Sequence, residues 1–167
     1  MKVTKENLRI GNDNPEQSLI DSYWKKIESD DLELINKNCR AKENADLEYI
    51  DNNANIHWRI EAKSHMSKDA HNAVHKIFGE LLKETGRNIP SDKTIKYGLL
   101  LDGRYCPNKE VFGKDFFMDR FSYINYDKYK SFGAIIPIEN IFIFDIEKNS
   151  VENISWNDFH KDCDKKD

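Results

Sequence analysis

The sequence predicts an α/β fold, a central mixed β-sheet flanked by helices, and three observations carry that expectation. Apolar residues recur at helical spacing over residues 15–28 and again over 69–85. Between these stretches, residues 45–63 alternate with period two on both sides of a turn-forming cluster. Residues 95–101 then form a near-continuous apolar run, the pattern of a strand buried on both faces. The order helix, hairpin, helix, strand, then further strands is that of a sheet layered with helices.

Each element has its own signal. Residues 1–13 are polar and read as an irregular lead-in. Asn14 reads as an N-cap, with Pro15 at the first helical position and Gln17 completing a capping box. Leu19, Ile20, Tyr23, Trp24 and Ile27 supply the apolar face of the first helix. Leu32, Leu34 and Ile35 suit a turn or a short strand. In the second helix Val74, Ile77, Phe78, Leu81 and Leu82 form the stripe, and Gly86 is the expected C-cap. Residues 104–132 are aromatic and irregular, and no element is assigned there. Residues 134–136, 141–146 and 151–156 read as strands, with a turn at 147–150 and a short helix to close.

Composition narrows the class. A chain of 167 residues with 38% apolar content suits one globular domain, with a core at about 14–102 and accessory strands and a C-terminal segment over 103–167. No apolar stretch is long enough to span a bilayer, and residues 1–5 lack the apolar segment of a signal peptide. Cys39, Cys106 and Cys163 are widely spaced and odd in number, so neither a disulfide framework nor a zinc site is suggested. A cytoplasmic protein without membrane partners is expected. The net charge of -4 argues against non-specific coating of nucleic acid, although a local basic surface can still hold a backbone.

The hairpin carries the chemistry. If Asp51 pairs with Ile56, Asp46 lies opposite Glu61, Glu48 opposite Arg59 and Tyr49 opposite Trp58. Side chains alternate between faces, so Leu47, Tyr49, Trp58, Ile60 and Ala62 share an apolar face. Asp46, Glu48, Arg59, Glu61 and Lys63 share the other. Opposed carboxylates repel. A divalent cation between Asp46 and Glu61 removes that repulsion, and hard cations such as Mg²⁺ keep waters, one of which can become a nucleophile. Lys63 can orient that water or balance the charge of a phosphodiester under attack.

Asp46, a gap of fourteen residues, then Glu61-Ala62-Lys63 at the end of a strand resembles the PD-(D/E)xK signature of restriction-endonuclease-like nucleases. The resemblance covers roughly residues 14–102, and Ala45 stands where that family has proline. It implies a restriction-endonuclease-like core, with Asp46 and Glu61 as ligands of Mg²⁺ (Mn²⁺ substituting) and Lys63 assisting the attacking water. Many members place a metal-site or water-binding Glu on the first helix, and Glu16 is the matching residue. Glu16 is equally suited to complementing the helix dipole.

Blander readings stand beside these. Glu61 and Lys63 also fit a solvated charged face, Glu48 and Arg59 fit a cross-strand ion pair, and Asp51 fits a turn. His71 and His75, with His65 upstream, have a spacing compatible with zinc but no H-E-x-x-H pattern, and a solvated helix face suits them better. His75 or Lys76 can also approach the site from the helix. Tyr123, Tyr126, Lys128, Tyr129, Lys130 and Phe132 interleave aromatics with lysines, an arrangement that holds nucleic acid through Lys128 and Lys130 or packs under a loop. The expected function is a Mg²⁺-dependent endonuclease acting on DNA in a restriction, repair or mobile-element setting, as a homodimer or with a partner subunit. The alternative is a non-catalytic binding protein of the same fold, or an acidic inhibitor.

Overall fold

The computed structural model describes residues 14–87 and 90–164, so the polar lead-in expected over 1–13 lies outside the described residues. Helix α1 (Pro15–Ile27) starts where Asn14 accepts hydrogen bonds from the N–H groups of Glu16 and Gln17. Gln17 does not close a capping box. Its amide instead donates to the Lys37 carbonyl and accepts from the Cys39 N–H, tying the helix start to the loop after β1 (Leu32–Lys37).

Strands β2 (Leu47–Asp51) and β3 (Ile56–Lys63) form the predicted hairpin, and α2 (Ala70–Gly86) crosses from it to β4 (Thr94–Asp102). Gly86 is the last helical residue rather than the cap, which falls on Arg87 in extended backbone. The stretch left unassigned in the sequence holds a two-stranded ribbon, β5 (Tyr105–Cys106) with β6 (Val111–Phe112), then α3 (Gly113–Phe121) and α4 (Tyr126–Ile135). Residues 134 and 135 therefore end a helix, correcting the strand expected at 134–136. Strands β7 (Ile138–Asp145) and β8 (Ser150–Ile154) follow, and a 3₁₀ turn (Asn157–Phe159) replaces the expected short helix.

The main sheet runs β1-β2-β3-β4-β7-β8. Its first three strands are antiparallel, β3, β4 and β7 are parallel, and β8 returns antiparallel. The class is thus the predicted one, a mixed sheet flanked by helices. On one face Leu19, Ile20, Tyr23 and Trp24 of α1 pack on Leu47, Tyr49, Ile60, Ala62 and Leu100. On the other, Val74, Ile77 and Leu81 of α2 meet Leu99, Leu101 and the aromatic residues of α3 and α4.

Two contacts explain why the layers close here. Gly98 lies where β4 meets its neighbours: a Cβ there would sit 2.9 Å from Phe142 and 3.3 Å from Ile60. Helix α4 is held by a reciprocal lock, in which Tyr129 Oη donates to the Trp156 carbonyl (2.7 Å) and Trp156 Nε1 donates to the Tyr129 carbonyl (2.9 Å). Their rings stack at 4.3 Å. Among the described residues no helix is long and apolar enough to cross a membrane.

Candidate functional site

The hairpin register places the candidate residues. Asp51 pairs with Ile56, Tyr49 with Trp58 and Glu48 with Arg59, as the alternation predicts. Asn55 takes a left-handed conformation in the turn, and Asp51 accepts a hydrogen bond from the Ala54 N–H, a turn role. The apolar face of the hairpin lies under α1. The charged face is not solvated: Asp46, Glu61 and Lys63 are 7%, 3% and 4% exposed, and Glu48 and Arg59 are buried too. That removes the reading of these residues as an exposed charged strand.

Asp46 lies one residue before β2, and its Oδ2 accepts from the Ala62 N–H across the hairpin at 2.9 Å. The Asp46 and Glu61 carboxyls act on each other electrostatically, and Asp46 raises the proton affinity of Glu61. Among the described residues Glu61 Oε1 is buried with no hydrogen-bond partner. The Lys63 ammonium lies 2.7 Å from Glu80 Oε2 and 3.9 Å from Glu16 Oε2. Asp46, Glu61, Lys63 and Glu16 are therefore brought into one cluster, between the start of α1 and the middle of α2.

The electrostatics follow from crowding like charges out of water. Burial pushes the Asp46 carboxyl up, against the pull of Lys63 and the Ala62 N–H. Burial pushes Glu61 up further, and Asp46, Glu84 and Glu80 add to it. Because the two groups interact directly, they titrate as a pair. Glu16 is raised as well, by burial first. Burial works against the charge of Lys63, but Glu16, Asp46 and Glu80 together outweigh it and hold the ammonium charged.

Helix α2 supplies residues that the sequence reading missed. Glu80 and Glu84 of α2, and Arg87 at its C-cap, meet the charged side of the hairpin. Arg87 reaches Glu48 Oε2 at 3.1 Å. Glu48 Oε1 accepts from Arg59 Nε (3.3 Å) and bonds His57 Nε2 (2.7 Å), so the expected Glu48–Arg59 pair belongs to a larger buried network. Burial opposes the charge of Glu48, but hydrogen bonds from Arg87, Asn44 and His57 hold its carboxyl below the ordinary range. The available signal was the i, i+4 spacing of Glu80 and Glu84 beside the apolar stripe. Nothing in the sequence says that the stripe's edge meets charged strand residues.

Two carboxylates, one of them with a buried, unpartnered oxygen, form a hard donor set that suits Mg²⁺, an ion that retains several waters. The residues present fit such a cation at Asp46 and Glu61. Among the described residues no three His, Cys, Asp or Glu side chains converge as a complete cage, so solvent or substrate oxygens would fill the remaining positions.

The other candidates lie apart from this cluster. His65 is fully buried against Phe116 and Phe117, and His71 is exposed beside Arg120, so the three histidines do not assemble. Lys76 contributes to the field at Glu16 from α2. Lys128 and Lys130 are on α4: Lys130 sits over the Tyr126 ring at 4.7 Å and 3.6 Å from Asp127, while Tyr129 between them is buried. Tyr126 and Phe132 are half-buried against the core, Tyr123 is exposed, and Lys128 faces outward. Cys39, Cys106 and Cys163 are free thiols.

No protein-family model matches the chain, and no curated protein matches it significantly. Among solved structures the chain is similar to an XisH family protein from Nostoc punctiforme, at 14% identity and a TM-score of 0.48, over 85% of this chain and 100% of that one.

Proposed function

We propose that the protein is a Mg²⁺-dependent phosphodiester hydrolase of the PD-(D/E)xK type, acting on DNA. The observation that carries this reading is the buried Asp46–Glu61 pair with its unpartnered Glu61 oxygen, beside the charged ammonium of Lys63. Asp46 and Glu61 are the side chains that would hold the cation. Bound there, it would supply charge neutralisation and an acidified water. Lys63 would stabilise the negative charge that builds on the phosphate oxygens, a role worth most in a site shielded from water. Glu16, 3.9 Å from Lys63, would support that ammonium from α1. The lysines of α4, Lys128 and Lys130, would hold the DNA backbone by neutralising phosphates.

A second reading, a non-catalytic binding protein of this fold, is favoured by one observation: among the described residues no three potential ligands converge. One experiment separates the two. Plasmid and oligonucleotide DNA are incubated with the protein and Mg²⁺ or Mn²⁺, with Asp46→Asn and Lys63→Ala as comparisons. The hydrolase reading requires metal-dependent cleavage by the wild type and loss of most of it in both variants. DNA binding without cleavage under either metal supports the second reading.

A further inference from the structure

We propose that Glu80, on α2, is a positioning residue that draws the Lys63 ammonium off the Asp46–Glu61 pair and so keeps that pair open to a divalent cation. The inference rests on the hydrolase reading of the site and concerns a residue to which the hairpin motif gives no role.

The geometry is specific. Lys63 follows Glu61 by two residues on the same strand face, so a buried ammonium there has the Asp46 and Glu61 carboxylates as natural counterions. Among the described residues its ion-pair contacts within 4 Å are instead Glu80 at 2.7 Å and Glu16 at 3.9 Å. The nearer partner comes from a helix anchored on both sides of Glu80 by the fully buried Ile77 and Leu81. The Lys63 side chain is 5% exposed against 32% for Glu80, so its ammonium cannot turn to water and rests where the Glu80 carboxylate meets it. A buried charge must find a partner. Without the Glu80 carboxylate, the ammonium's nearest remaining options are Glu16 and the Asp46–Glu61 pair. Any share it takes of the pair occupies the oxygens a cation needs, including the now unpartnered Glu61 Oε1.

This differs from a general field effect in a measurable way. If Glu80 only adds negative charge near the site, removing Lys63 changes cation affinity by the same factor whether Glu80 is present or not. If Glu80 holds Lys63 away, removing Lys63 matters little with Glu80 in place and a great deal without it. A double-mutant cycle isolates that difference.

The test is titration of the folded protein with Mn²⁺ by calorimetry, for the wild type, Glu80→Gln, Lys63→Met and the double variant, with circular dichroism confirming the fold of each. Glu80→Gln is expected to weaken Mn²⁺ binding tenfold or more. Lys63→Met is expected to change it less than threefold, and the double variant to return to within threefold of the wild type. Glu80→Asp, which keeps the charge one methylene shorter, is expected to retain most of the affinity and serves if the glutamine variant does not fold. Additive effects around the cycle, or wild-type affinity in Glu80→Gln, overturn the assignment of Glu80 while leaving the hydrolase reading intact. A wild-type protein that binds no Mn²⁺ overturns both.

Discussion

Asp46→Asn should make the cation-free protein more stable at pH 8, because it removes a repulsion that the fold otherwise carries. The Asp46 and Glu61 carboxyls are both held above their ordinary range, chiefly by burial. The folded pair therefore retains a proton that the unfolded chain releases above about pH 4.5. A state that binds more protons when folded loses stability as pH rises, by up to about 1.4 kcal/mol per pH unit for one group. The wild type pays nothing of this below the ordinary carboxylate range, and the loss grows toward alkaline pH. In the variant, the asparagine carbonyl can still accept from the Ala62 N–H, which Asp46 Oδ2 accepts at 2.9 Å. Its amide can donate to the Glu61 carboxyl, a hydrogen bond worth about 0.5–1.5 kcal/mol, and the variant no longer buries the Asp46 charge. The expected gain at pH 8 is about 2 kcal/mol, or roughly 4–8 °C in Tm for a chain of this size. At pH 3 the gain should shrink below about 0.5 kcal/mol, because the unfolded chain then keeps most of the same protons. Thermal melts in EDTA at both pH values measure it. A lower Tm for the variant at pH 8, or an equal gain at both pH values, would refute the retained-proton account.

Three further outcomes follow from the same structure. Mg²⁺ or Mn²⁺ at a hundredfold excess over Kd should add about 2.7 kcal/mol of stability to the wild type; the Tm shift should grow from pH 6 to pH 8, since binding displaces the retained proton, and should vanish in Glu61→Gln. Lys128→Ala with Lys130→Ala should weaken DNA binding and lower its salt slope by about 1.8 if both contact phosphates, whereas Tyr129→Ala should cost about 3–5 kcal/mol of stability by emptying the lock with Trp156; unchanged salt dependence in the lysine double variant removes α4 from the interface. Gly98→Ala should cost about 1–3 kcal/mol in denaturant melts, because Phe142 and Ile60 must give way; a neutral result would mean that β4 shifts freely.

Local pattern determined a good deal here. The period-two alternation around 51–56 sets the hairpin register residue for residue, because a one-residue slip would mix the apolar and charged faces. The apolar periodicity of α1 and α2 and the continuous run of β4 likewise follow from which face must leave water. In contrast, α3 and α4 are short, weakly amphipathic and rich in aromatics, so no period announces them; the stacking of Tyr129 on Trp156, 27 residues away, holds α4. The same limit applies to the candidate site. The spacing of Asp46, Glu61 and Lys63 is written along one hairpin and could be read there. Whether those charges face water or a helix depends on where α2 lands, and only the crossing of α2 over the hairpin buries them and brings Glu80, Glu84 and Arg87 against them. Burial and the meeting of charges distant in sequence are properties of packing, and the tertiary structure alone decided them.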